Sequence, residues 1–357
     1  MNRRYFLIAS MLSLLAAPAQ ALVILQYHHI SEHTPAATST SPQRFRAHLE
    51  AIAASGFRVL DLDTVTQLIR SAAPLPDRAV LITFDDSYTS IYETALPLLK
   101  KRQWPFVVFA NTEPVDLGLD GFLSWEQLRK LAANGAAIAN HSVSHPHMVR
   151  HEPGQPPDGW RQQVRAEILN AEARIREEVG QSHRVLAYPF GEFSAELEQV
   201  LAQLDFIGMG QHSGAASSAQ RYALPRFAFG GSYGAREDFS TKLQALPLPV
   251  QAWAIEDEAG NTLIDGILPL QVQRPVVRMT LGDSGLLDKL QCYVSGQDRA
   301  ERMPVDNYSV RFWAQRPLRP GRSRYNCTAA SAEPGRFHWF SVPFIRRRAD
   351  GSWLPEP

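Results

Sequence analysis

The sequence predicts an α/β fold, a distorted (β/α)7-type barrel followed by a small all-β sandwich, and three observations carry that prediction. Short apolar, β-prone runs alternate with helical patterns from residue 22 to about residue 210. Residues able to do chemistry stand at the carboxyl ends of those runs, where parallel barrels build their sites. Composition then shifts near Leu246-Pro247-Leu248-Pro249, beyond which alternating runs between Gly, Asp and Asn turns replace any helical period. The expected boundaries are residues 22–245 for the barrel and 250–357 for the sandwich.

Residues 1–21 read as an export signal. Arg3 and Arg4 form a positive start, Phe6 to Ala17 an apolar run, and Ala19-Gln20-Ala21 a small-x-small cleavage site. The run is too short to span a bilayer, so the mature chain is expected outside the cytoplasm, periplasmic or secreted, without a transmembrane segment. The paired arginines also fit a twin-arginine signal. Lys+Arg and Asp+Glu balance at 36 each, which argues against nucleic acid or a polybasic membrane surface as partner. Cys292 and Cys327 are the two cysteines, and in an exported chain they read as one disulfide. Closing a loop of about 35 residues, it would contribute roughly 3–4 kcal/mol on the chain-entropy account.

In chain order, Leu22 to Tyr27 is the first strand and ends in His28-His29. Ser41-Pro42 caps a helix whose face carries Phe45, Leu49 and Ile52, and Gly56 ends it. Phe57 to Leu62 is a second strand, and Thr64 to Ile69 a short helix. Ala79 to Phe84 is the third strand. Tyr92 to Lys100 is a helix kinked at Pro97, and Phe106 to Ala110 the fourth strand. Ser124-Trp125-Glu126-Gln127 is a capping box for a helix ended by Gly135. Ala136 to Asn140 is the fifth strand. Val164, Ile168, Ala171, Ile175 and Val179 mark a long amphipathic helix. Arg184 to Tyr188 and Phe206 to Gly210 are the last two strands, around a helix over Ser194 to Leu204. In the second domain, Val277 to Leu281, Leu290 to Ser295 and Tyr308 to Ala314 alternate as strands.

The third strand runs directly into Asp85-Asp86. Two carboxylates at a strand end are costly to bury unless a cation or proton neutralises them. His141 and His145 in His141-Ser142-Val143-Ser144-His145 are four apart, on one face if the chain turns helical there. With one carboxylate they make a two-imidazole, one-oxygen donor set with open positions, suited to zinc or a similar divalent ion. One Asp would then ligate and the other would take a proton from a water acidified by the metal. A solvated turn, with Asp86 capping the next helix, is the plainer reading of the same pair.

Thr83-Phe84-Asp85-Asp86-Ser87-Tyr88 together with His141-Ser-Val-Ser-His145 resembles the polysaccharide deacetylases of the NodB-homology type, carbohydrate esterase family 4, over roughly residues 22 to 230. The resemblance implies Asp85 as catalytic base and Asp86, His141 and His145 as ligands of Zn2+, with Co2+ or Ni2+ as substitutes. Tyr188-Pro189-Phe190-Gly191 resembles the family's third motif and implies a backbone N–H of Phe190 at the oxyanion. His212 stands where the family keeps a general acid for the leaving amine. Ser87 replaces the family's usual Gly, a change expected to matter little. Ala187 occupies the place of an Arg that orients the base, and Arg226 in Leu224-Pro225-Arg226 is a candidate substitute.

His28 and His29 are expected as substrate or supporting contacts, and Tyr88, Trp125 and Tyr188 as aromatic contacts to a sugar, packing being the alternative for each. His147, His151 and His183 are expected at the solvated surface. The resemblance implies a hydrolase that removes N-acetyl groups from an amino-sugar polymer such as poly-N-acetylglucosamine, a chitin-like chain or peptidoglycan. The alternatives are an O-acyl esterase with the same site and a non-catalytic glycan-binding protein. The sandwich would bind glycan, contact envelope or export proteins, or only stabilise the barrel.

Overall fold

The computed structural model describes residues 21–152, 154–231 and 234–355; residues 1–20 of the expected export signal lie outside them. The first sheet holds eight parallel strands: β1 (Leu22–Tyr27), β2 (Arg58–Val59), β3 (Ala79–Asp85), β4 (Phe106–Ala110), β5 (Ala136–Asn140), β6 (Val185–Ala187), β7 (Ile207–Met209) and β8 (Phe227–Ala228). Their order is β8-β1-β3-β4-β5-β6-β7, with β2 beside the first residues of β3. A bridge from Met209 to Leu224 joins the two edges and closes the barrel just ahead of β8.

Strand alternation decides what faces the barrel axis. Ile24, Leu81, Val107, Phe109, Ala139 and Met209 belong to one buried cluster to which six strands contribute. Their neighbours Val23, Leu25, Val80, Ile82 and Val108 pack outward with helical residues such as Phe45 and Leu49. Gln26, Thr83 and Asp85 continue the inward series, so polar groups crown an apolar interior. That position explains how they come to share one end.

Local signals set the helices. Ser41 accepts from Arg44 N ahead of Pro42–Ala54, and the Ser124–Gln127 capping box opens Trp125–Ala132. The long helix runs Pro157–Val179 and ends on Gly180 at φ 77°. Ahead of Pro97 the chain makes a π-helical turn, Ile91–Ala95, before Leu96–Lys100. The predicted second strand shrinks to β2, because Asp61 accepts from Thr64 N and starts a helix at Leu62.

The C-terminal region forms two five-stranded sheets. One pairs Gly321–Ala330 with Phe337–Arg346 and, on its far side, Gln291–Val294. The other pairs Val250–Glu256, Val276–Leu281, Ser309–Trp313 and Glu301–Pro304. Val277, Met279, Phe312, Tyr325 and Val342 fill the core between them, which makes a sandwich. The Cys292–Cys327 disulfide joins directly opposed residues of one sheet rather than the two sheets.

The sandwich is fixed against the barrel. Arg336 makes a two-pronged pair with Asp77 at 2.7 and 2.9 Å and donates to Gln244 O. Trp339 packs edge-on to Phe227 of β8, and Ile345 joins a barrel cluster with Tyr188 and Leu201. No helix among the described residues is long and apolar enough to cross a membrane.

Candidate active site

Asp86 follows β3 in the left-handed region, φ 73°, and Ser87 follows it at φ 55°. This reversal turns Asp86 toward the end of β5 while Asp85 stays on the barrel axis. The helical turn that would set His141 and His145 on one face does not form. The segment is a loop, bent by left-handed Ser142 (φ 68°) and His145 (φ 56°). Glu167 of the long helix holds that loop, accepting from Val143 N, Ser144 N and Ser144 Oγ. Asn140 Oδ1 accepts from Ser142 N, and Ser142 Oγ from His145 N. With Phe190 at φ 58°, five of the ten non-glycine residues at positive φ among the described residues border this one site. Such strain persists where surrounding contacts over-determine it.

The result is a three-donor group. Asp86 Oδ1 lies 3.1 Å from His141 Nε2 and 3.3 Å from His145 Nε2. His141 Nδ1 sits 2.7 Å from Ala187 O, so the N–H is on Nδ1 and Nε2 turns its lone pair inward. Asp86 Oδ1 and His141 Nε2 are both buried without hydrogen-bond geometry to any described residue. Converging lone pairs that satisfy nothing around them fit a divalent cation. One donor from each of the three residues lies within 4.8 Å of the others. Burial pushes Asp86 up, but His141, with His28 and His145, outweighs it and holds the carboxyl below its ordinary value. His145 is lowered to about 4 by burial and by His141 beside it, which leaves it neutral as a ligand must be.

Asp85 is wholly buried and carries a different set of partners. Arg226 donates from Nη1 to Oδ1 and from Nη2 to Oδ2, each at 2.8 Å, and Gln26 Nε2 donates to Oδ2 at 2.7 Å. Arg226 is itself placed by Nε donating to Gly210 O and by Phe109 under its guanidinium. Three bonds leave one in-plane lone pair, on Oδ1. Burial raises Asp85, yet Arg226 and then His141 bring it below the ordinary value, so it is ionised at neutral pH. Gln26 was not singled out in the sequence, although it is a polar residue within a wholly buried β1.

His212 is buried with Nδ1 unpartnered among the described residues. Burial, then Arg324 and Arg226, lowers it to about 3, so it enters any cycle neutral. Phe190 stacks on His147 at 3.8 Å between centroids and meets His145 edge-on at 4.5 Å. His147 is therefore not a solvated surface residue; its Nδ1 lies 2.8 Å from Glu192 Oε2, and both are mostly buried. His28 Nε2 stands 4.0 Å from Asp86 Oδ2, and His29 stacks on Tyr88 at 3.5 Å. Burial lowers His29 to about 4, with His28 adding to it.

Two aromatic expectations change. Tyr188 is wholly buried and donates to Tyr222 O at 2.7 Å, so its hydroxyl is committed inside the core and does not meet a substrate. Trp125 donates to Asp116 Oδ1 and lies under Arg174, so both its polar edge and one face are taken. For both residues the structure shows packing, the alternative reading of these aromatics.

Comparison with known proteins points the same way. Residues 72–208 match the family described as polysaccharide deacetylase. The Bacillus subtilis protein YxkH, named for polysaccharide deacetylases, is 27% identical over 207 residues, 57% of this chain and 70% of that one. An Escherichia coli poly-β-1,6-N-acetyl-D-glucosamine N-deacetylase is 22% identical over 58% of this chain, which spans only 36% of that protein. Two solved structures share the barrel fold. Streptococcus pyogenes deacetylase PplD has a TM-score of 0.56 at 23% identity, covering 63% of this chain and 99% of that one. IcaB from Ammonifex degensii has a TM-score of 0.55 at 22% identity, covering 63% and 97%. The matched residues include Asp85, Asp86, His141 and His145, so the stretch that carries the candidate site is similar to the polysaccharide deacetylase family.

Proposed function

We propose that the protein is a metal-dependent hydrolase that removes N-acetyl groups from an amino-sugar polymer, with residues 22–245 as the catalytic domain and 250–357 as an accessory sandwich. The observation that carries this reading is the adjacency of two differently held carboxylates, Asp86 within a three-donor group and Asp85 forked by Arg226. Poly-N-acetylglucosamine is the preferred substrate class because the Escherichia coli relative is named for it. An exported, periplasmic or secreted, location suits such a polymer, and the sandwich could also meet envelope proteins.

A divalent ion held by Asp86, His141 and His145, zinc before cobalt or nickel, would supply Lewis acidity to the acetyl carbonyl and acidify a water. Asp85, with its remaining Oδ1 lone pair, takes the proton of the attacking water as the C–O bond forms. Arg226 and Gln26 hold that carboxylate in place and keep it ionised beforehand. The Phe190 backbone N–H donates to the tetrahedral oxyanion. The C–N bond then breaks, acetate leaves, and the nitrogen takes one proton to become an amine. We assign that delivery to His212, which must first gain the proton within the site, since burial holds it neutral.

The test is acetate release from N-acetylglucosamine polymers before and after chelation, with zinc, cobalt or nickel restored. Release that stops on chelation and returns with metal supports the reading. Release unaffected by chelation would refute it, and release from O-acetylated glycan alone would make the protein an esterase.

A further inference from the structure

We propose that the β-sandwich is a wall of the substrate cleft and that Trp253 is a stacking platform for a sugar ring flanking the unit being deacetylated. This rests on the polymer reading above. A cavity of about 590 Å³ lies where barrel and sandwich meet. It is lined by Phe190, His212 and Tyr222 from the barrel and by Trp253, Arg322 and Arg324 from the sandwich. The three metal-binding candidates lie outside it, but Phe190 borders both spaces, its ring 4.5 Å from that of His145. The volume falls within the range of about 300–1,000 Å³ usual for ligand clefts and far exceeds the needs of one acetyl group.

The sandwich side is held to the catalytic loops by specific bonds. Arg324 Nη1 donates to Gln211 O at 3.1 Å and Ser213 Oγ at 3.4 Å, the residues on either side of His212. Arg322 lies over the Phe190 ring and pairs with Glu192, the residue that also binds His147. The wall is thus in place before substrate arrives, which lowers the ordering cost of binding.

Trp253 supplies the sign of an occupant. It is 49% exposed in a strand of the sandwich, touching Phe340 edge-on at 5.6 Å, and Ile264 beside the same cavity is 91% exposed. A half-bare indole over a cavity that also offers guanidinium and carboxylate groups matches the alternating apolar faces and hydroxyl rims of a neutral sugar chain.

The experiment compares di- and hexasaccharides of N-acetylglucosamine, β-1,6- and β-1,4-linked, as substrates of the metal-loaded full chain. Trp253→Ala should lower the hexamer-to-dimer ratio of kcat/KM by about tenfold, through KM, the effect of one stacking contact. Trp253→Phe should restore most of it, and Tyr308→Ala, an exposed aromatic elsewhere on the sandwich, should leave the ratio unchanged. An unaltered ratio in Trp253→Ala overturns the proposal. Calorimetric binding of the hexamers separates the two readings if no oligomer is turned over. Hexamer binding lost in Trp253→Ala would keep the cleft wall while the deacetylase reading fails, and no hexamer binding by the parent protein would overturn both.

Discussion

Arg226 and Asp85 pair fork to fork, two bonds of 2.8 Å between side chains that are both wholly buried and stand 141 residues apart in the chain. Arg226 comes from the segment that closes the barrel, so closure and the orientation of the base are one structural event. Arg226→Lys keeps the charge without the planar fork. It should retain bound metal while kcat falls tenfold or more, on the order expected for a misplaced catalytic group. Arg226→Ala should also destabilise by about 3–5 kcal/mol, since it strands a buried charge. A folded, metal-loaded Lys variant with undiminished kcat would contradict this role.

Ser87 stands where replacing the family's usual Gly is expected to have little effect, yet its backbone is strained. Its φ of 55° is a conformation that glycine adopts freely, and its hydroxyl is buried with no hydrogen-bond partner among the described residues. Ser87→Gly relieves both costs against a loss of unfolded-chain restriction. We expect a net gain of about 0.5–1 kcal/mol in denaturant unfolding. A loss of stability would show that the hydroxyl has a partner in solution.

Much of the site was legible because it is local. A buried run ending in two carboxylates, and two histidines four apart after another such run, can be read without knowing contacts. The resemblance already offered Arg226 as a partner for Asp85, whereas the Gln26–Asp85 pair depends on which strands become neighbours, and only the closed barrel decides that. The loop bends at Ser142 and His145 are also tertiary, since neither residue type favours positive φ enough to announce it. The two longest sandwich strands are not legible as alternating runs. Gly321–Ala330 opens with arginines directed at the barrel, and Phe337–Arg346 carries Pro343, so neither shows clean alternation.

His48 should make stability depend on pH. It is packed flat against Phe239 and joined to Tyr27 Oη and Gly234 O, and burial lowers it to about 4. Arg44, Asp238 and Lys242 are the charges near it. Between roughly pH 6.5 and 4 the unfolded chain binds a proton here that the native state refuses. Stability therefore falls as pH drops through that window and is independent of this group above it, a span on the order of 3 kcal/mol. His48→Gln should be less stable at pH 7 yet lose less on going to pH 4.5. An unchanged slope in thermal unfolding would assign the pH dependence elsewhere.

Arg336 is nearly buried and joins the sandwich to Asp77 of the barrel. Removing one partner costs more than the pair itself contributes, because the other is left unsatisfied. Arg336→Ala should destabilise by about 1–3 kcal/mol, and Asp77→Asn by less. A double-mutant cycle should return a coupling energy of about 1 kcal/mol or more; additivity would mean that the contact is incidental.

The central claim is that Asp85 acts on water beside a metal it does not itself hold. Acetate release from N-acetylglucosamine polymer should be measured for the parent protein and Asp85→Asn, with the metal content of both determined on the same samples. The account predicts equal metal content and a rate in the variant reduced by about 100-fold or more. Loss of metal along with activity would make Asp85 a ligand, and an undiminished rate at full metal content would contradict its role as base.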